Sequence, residues 1–221
     1  LFAAGSALAD GNIAEIEQSS NVTAGNAQIA QNGTGGNAHI SQGLYGATTD
    51  SSASITQNGV GGLAQTSQDY FGVRNSHQLI TQSEGGTAIF TQGWSTTAST
   101  QSSVQNHGGY IQAYQETVFS GSQNVVQIGN NHADVRGYRG RELHASLNQQ
   151  GKQNTARLFQ GFSSSMSVGG FVLQDASGSW GNIEQYGNSN RAVLEQIGLA
   201  NGGTVVQSGD LNEATVLQAG A

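Results

Sequence analysis

The sequence predicts an all-β chain: a two-sheet β-solenoid with two strands per rung and about nine rungs, stacking into a cross-β (amyloid) fibre. Three observations carry this. Glutamine recurs at short, near-regular intervals along almost the whole chain. An apolar residue stands two positions before nearly every one of these glutamines, and a small residue four positions before. The chain has no proline and 33 glycines, which suits strands that all need their N–H groups and turns that reverse quickly.

The unit is clearest near the end of the chain. Gln185, Gln196, Gln207 and Gln218 bound three successive units, QYGNSNRAVLEQ, QIGLANGGTVVQ and QSGDLNEATVLQ. Such a unit is too short for a helical-repeat module and fits one strand plus one tight turn. Asn190, Ala192, Leu194 and Gln196 alternate, so an extended segment puts them on one face and Arg191, Val193 and Glu195 on the other. Gly187 follows Gln185 by two, where a reversing chain takes positive φ. Stacked rungs then place Gln over Gln and Asn over Asn (Asn154, Asn190, Asn201 and Asn212), each amide pairing with the copies above and below.

In chain order, residues 1–9 read LFAAGSALA. They are expected to be the end of a secretory signal, with an A-x-A cleavage pattern before Asp10; the alternative is an apolar strand covering the first rung. Residues 10–221 are expected to form a single repeat domain. Its strand-closing glutamines are Gln18, Gln31, Gln42, Gln57, Gln68, Gln82, Gln92, Gln105, Gln115, Gln127, Gln149, Gln160, Gln174, Gln185, Gln196, Gln207 and Gln218. The interval from Gln127 to Gln149 holds two units, and Tyr138 stands at its midpoint. Short steps alternate with longer, variable ones, so one edge of each rung is a tight turn and the other a variable turn. The stack would be roughly 43 Å long.

The interior follows independently. Of the 18 residues two before these positions, 15 are apolar, from Ile16 and Ile29 to Val205 and Val216. Four before, ten are Ala and three are Gly. A small residue beside a large one suits two sheets that approach closely across a narrow core. The longer turns, 43–52, 69–76, 93–100 and 161–169, gather Tyr45, Tyr70, Phe71, Trp94 and Phe162 on one edge. There they pack over the coil or form a lateral contact surface.

Composition excludes several function classes. The formal net charge is −7 with seven Lys plus Arg, so nucleic acid and anionic membranes are poor partners. No apolar run is long enough to span a bilayer, and membrane insertion is not expected. There is no cysteine, which removes disulfides and thiolate metal sites. One charge cluster, HADVRGYRGRELH at 132–144, holds Asp134, Arg136, Arg139 and Arg141. These are expected to be gatekeepers that slow premature aggregation. A β-helical lyase site, the alternative, would need supporting carboxylates on other rungs, and none stand there. The five histidines are scattered without ligand spacing, so no catalytic, metal or cofactor site is expected.

These units resemble the curlin repeat family, the subunits of bacterial curli fibres. The resemblance rests on Gln149 to Gln160 and on the three units from Gln185 to Gln218. QNGTGGNAHISQ (31–42) and QNGVGGLAQTSQ (57–68) keep its Gln, Gly and Ala but shift or lose its Asn. It covers essentially residues 12–218. It implies an extracellular, cell-surface amyloid-like fibre of the biofilm matrix serving adhesion and cohesion. It also implies secretion through an outer-membrane pore and growth started by a nucleating subunit. The chain departs from the typical five-repeat subunit in its nine expected rungs and uneven turns. Apart from the resemblance, neither end leaves room for a polar cap, so each terminal rung is expected to template a second copy and build a filament. The alternative is a monomeric secreted solenoid binder or adhesin. An ice binder would carry a threonine array, which the outward pairs Gln28/Ala30, Ser54/Thr56, Leu79/Thr81 and Phe171/Leu173 do not form.

Overall fold

The computed structural model describes residues 4–8, 11–44, 46–68, 72–84, 86–92, 97–107, 109–115, 120–129, 131–137, 143–160, 168–186 and 190–220. The fold is all-β, a parallel β-solenoid, with no helix among the described residues. Seventeen strands join in one continuous sheet. Where strands alternate singly, from His77–Gln82 to Glu213–Gly220, the coil makes about seven turns.

The winding is visible in the pairing. From Thr100–Asn106 onward each strand bonds in parallel to the next but one: Thr100–Asn106 to Ser122–Ile128, Gly109–Gln115 to Asn131–Gly137, and so on to Arg191–Leu199 with Glu213–Gly220. Asn26–Gln42 and Ser52–Gln68 run unbroken for 17 residues each and pair along nearly their whole length, Asn26↔Ser52 to Gln42↔Gln68. Each therefore serves both columns of strands. Ala4–Leu8 pairs with the first half of Asn26–Gln42, from Ala4↔Gln28 to Leu8↔Asn32.

Parallel register keeps like over like, so the period-2 pattern of each strand becomes a continuous core. Ile29, Ile55 and Ile80 stack in one column, and Val125, Leu147, Val172 and Leu194 continue it. All are buried, as are Ala27, Ala53, Ala145 and Ala192 beside them. Two successive strands, Thr100–Asn106 and Gly109–Gln115, invert the order. There the large residues Gln101 and Ile111 stand four before the closing glutamine, with Ser103 and Ala113 two before, and all four are buried. Reversing one strand alone would put bulk against bulk; reversing both keeps the core filled.

The register corrects one position. Gly137, not Tyr138, pairs with Gln160, so the strand without a closing glutamine carries glycine there. Counted from Gly137, the inward residues are Val135 and Ala133, both fully buried. The steps before and after this strand are uneven, and a midpoint count lands one residue late.

The variable edge is irregular in sequence yet regular in space. Val22–Thr23, Thr48–Thr49 and Val73–Arg74 form a second, three-stranded parallel sheet, extended by an Arg74↔Thr97 bridge. Next to it Ser51, Ser76 and Ser99 are buried. The Ser76 N–H donates to Ser51 Oγ (3.2 Å) and the Gly121 N–H to Ser99 Oγ (3.3 Å). Tyr45, Tyr70, Phe71, Trp94 and Phe162 lie outside the described residues, as do Gly187 and Tyr138.

Candidate functional site: the stacked amide ladders

The glutamines that close the strands gather into two inner columns. In one, Gln31, Gln57, Gln82, Gln105, Gln127, Gln149, Gln174, Gln196 and Gln218 follow without interruption. Each Nε2 donates to the Oε1 of the next, at 2.6–3.3 Å. In the other, Gln18 donates to Gln42 and Gln42 to Gln68 (2.6 Å each), and Gln185 donates to Gln207 (2.9 Å). This second column is broken from Gly137 to Gln185: Gln160, expected in the ladder, donates instead to the His144 carbonyl (2.7 Å), and Gln185 Oε1 accepts no hydrogen bond, so the amide bonding resumes only from Gln185 to Gln207. Gln92 and Gln115 belong to it by register, with side chains outside the described residues.

Two things hold these amides in line. Parallel, in-register strands repeat at about 4.8 Å, close to the reach of one amide to the next. The remaining N–H of many rungs is tied to the opposite strand: Gln149 Nε2 donates to the His132 carbonyl (3.1 Å) and Gln174 Nε2 to the Thr155 carbonyl (3.2 Å). Burial without such partners would be costly; with them the amides specify register.

A third ladder escapes the repeat pattern. Gln78 donates to Gln101 (2.8 Å) and Gln101 to Gln123 (2.9 Å), all deep in the core. These glutamines stand four before Gln82, Gln105 and Gln127, so alternation alone puts them on the inner face. Their spacing was the available signal.

The asparagines act differently. Asn154 Nδ2 closes its own turn on the Gln150 carbonyl (2.9 Å) and reaches the Ala176 carbonyl of the next rung (2.7 Å), while its Oδ1 accepts the Ser179 N–H (3.1 Å). Asn190 repeats this with Tyr186, Gly209 and Asn212. Asn201 and Asn212 bond the carbonyls of Ile197 and Ser208, four residues earlier. Only between Asn190 and Asn212 do two of these side chains touch, at 3.2 Å. Asn131 belongs to the set, accepting the Asn154 N–H at 3.0 Å; its shorter spacing from Gln127 hid it from the motif.

On the outer face Arg136 makes a two-pronged contact to Asp134, Nε to Oδ1 at 3.0 Å and Nη2 to Oδ2 at 2.8 Å. The pair stands on the strand that lacks a glutamine. Arg139 and Arg141 lie outside the described residues. The Arg136 side chain is 40% exposed and that of Asp134 16%; because Asp134→Asn with Arg136→Gln removes both charges together and strands neither, unfolding free energy is expected to change by only about 1 kcal/mol. If the pair is a gatekeeper, the same double variant shortens the lag of fibre formation followed by dye fluorescence. An unchanged or longer lag removes that role. Farther along, desolvation first, then the charge and hydrogen bond of Glu184 (3.3 Å), push the phenol of the exposed Tyr186 above its usual range.

A shallow groove of about 980 Å³ runs along the tight-turn edge past Gly62, Gly86, Gly109, Tyr110, His132 and Thr155. The Tyr110 and His132 rings stack there, 4.7 Å between centroids and 20° between planes. No group of His, Cys, Asp or Glu among the described residues is arranged to hold a metal ion, and no described helix could cross a membrane.

No protein-family model matches the chain, and no curated protein matches it.

Proposed function

We propose that this chain is a structural subunit that stacks end to end on copies of itself into an extracellular cross-β fibre. In that reading it is a curlin-like secreted component of a biofilm matrix, delivered through an outer-membrane pore and seeded by a nucleating subunit. The finer architecture belongs to the proposal: two principal strands per rung and about nine rungs, with Asn26–Gln42 and Ser52–Gln68 each supplying a whole rung. One observation carries the reading. Every Gln–Gln bond among the described residues donates from the earlier strand to the later. A stack in which each rung presents donors below and acceptors above is a template for a further identical rung. Head-to-tail contacts of this kind do not close, so the product is a filament.

The test is growth of the chain, desalted from denaturant, with and without preformed seeds. Sigmoidal dye fluorescence whose lag is abolished by seeds, with a meridional reflection near ~4.8 Å, is the expected result. A monomer that stays soluble at high concentration overturns it. A monomeric binder would then lead, because the groove beside Tyr110 and His132, lined by no Asp, Glu, Lys or Arg among the described residues, has the hydroxyls, amides and flat rings suited to a neutral ligand.

A further inference from the structure

The Ala4–Leu8 strand breaks the pattern of the column it joins. Its register puts Ala7 over Gln31, whereas each later glutamine of that column lies under another glutamine. Gln31 is only 3% exposed. Its Nε2 donates to Gln57 Oε1 (2.7 Å) and to the Ile13 carbonyl (3.2 Å), yet its Oε1 has no hydrogen-bond partner. Alanine has no side-chain amide to continue the ladder. A deeply buried acceptor thus lies at a register position whose partner residue has no side-chain donor.

The Glu213–Gly220 edge offers what is missing. Gln218 accepts from Gln196 (2.8 Å) and donates one N–H to the Gly202 carbonyl (2.6 Å), leaving its second N–H for a following rung. Its inward neighbours Ala214 and Val216 are half-buried, while Ala192 and Leu194 one turn earlier are buried. Strand order fits the same joint. With Ala4–Leu8 out of the way, the next copy supplies Ile13–Gln18 below Gly202–Ser208 and Asn26–Gln42 below Glu213–Gly220. Gln207 then meets Gln18, Gln218 meets Gln31, and Val216 meets Ile29. With Ala4–Leu8 in place, one column gains a strand that the facing column lacks.

We propose that Ala4–Leu8 is a displaceable cap strand, and that the edge it covers docks the Glu213–Gly220 edge of a second copy. The cap rests on the self-assembly reading and adds its point of control. Cleavage before Asp10 would open the edge permanently.

The chain has no cysteine, so one engineered pair can lock the strand. Ser6 and Ala30 are register partners, so Ser6→Cys with Ala30→Cys sets two cysteines at paired positions of adjacent strands, a backbone separation that a disulfide can span. The oxidised chain, added to wild-type seeds, is expected to elongate at least tenfold more slowly, and dithiothreitol should restore the rate. A second variant guards against distortion by the bridge. Ala7→Gln gives Gln31 its missing partner and should slow elongation about tenfold by stabilising the cap. Equal oxidised and reduced rates, or an Ala7→Gln chain that elongates as fast as wild type, overturn the cap alone. A wild-type chain that never elongates from its own seeds overturns the self-assembly reading and the cap with it.

Discussion

Replacing Gln149 by alanine is expected to destabilise the chain by about 4 kcal/mol. The side chain is fully buried. It accepts from Gln127 (2.6 Å), donates to Gln174 (2.6 Å) and donates again to the His132 carbonyl (3.1 Å). Truncation leaves a buried donor on Gln127 and a buried acceptor on Gln174 without partners, each costing about 1–3 kcal/mol, and opens a cavity between them. Gln149→Leu refills most of the volume and keeps the polar loss, so it should recover only part of the stability. Gln218→Ala is the control. That side chain ends its column and is half-exposed, and its loss should cost about 1 kcal/mol or less. Chemical denaturation, read with hydrogen exchange because repeat arrays can unfold locally, separates the three. Equal, small losses at Gln149 and Gln218 would remove the ladder as a source of stability.

The sequence pattern made the strands and the inner face legible because both rest on a strict period of two. Parallel pairing then keeps any regular inward residue in line, which is why Ile29, Ile55 and Ile80 could be placed before any geometry was known. What stayed hidden depends on register across uneven turns. Gly137 took the glutamine position one residue before the arithmetic midpoint, and Asn131 sat one residue nearer its glutamine than Asn154 sits to Gln149. The small sheet of Val22, Thr48 and Val73 was invisible for the same reason. Turns of different length share no spacing, but the strands flanking them lie in register and bring equivalent residues together. The buried Gln78, Gln101 and Gln123 were missed for another reason. Alanine and glycine dominate that inward position, and glutamine there reads as an exception until the three are seen to stack and bond to one another. The asparagines illustrate a third limit. Spacing places a side chain in a column, but whether its amide bonds its own turn or the next copy depends on how far the side chain reaches.

Gly151→Ala is expected to cost about 4 kcal/mol, while Gly178→Ala, in a neighbouring turn, should cost about 1 kcal/mol. Both glycines have positive φ, so conformation alone does not separate them. Gly178 has φ +68° and open space around an added methyl group. Its register neighbours, Gln153 at φ 60° and Ala200 at φ 53°, already hold that left-handed conformation with side chains. Gly151 has φ +103°, and a Cβ there would stand 1.8 Å from the backbone oxygen of Ala176 in the next rung. That oxygen cannot yield freely, because it accepts the Asn154 side-chain N–H at 2.7 Å. Relieving the clash therefore means parting two rungs and breaking the bond that staples them. Thermal or denaturant unfolding of the two single variants gives the comparison directly. In the fibre reading the difference should widen, since the parted rungs are also the stacking axis: Gly151→Ala would slow seeded growth, and Gly178→Ala would leave it near wild type. Equal losses from the two substitutions would mean that the turns flex independently of the stack.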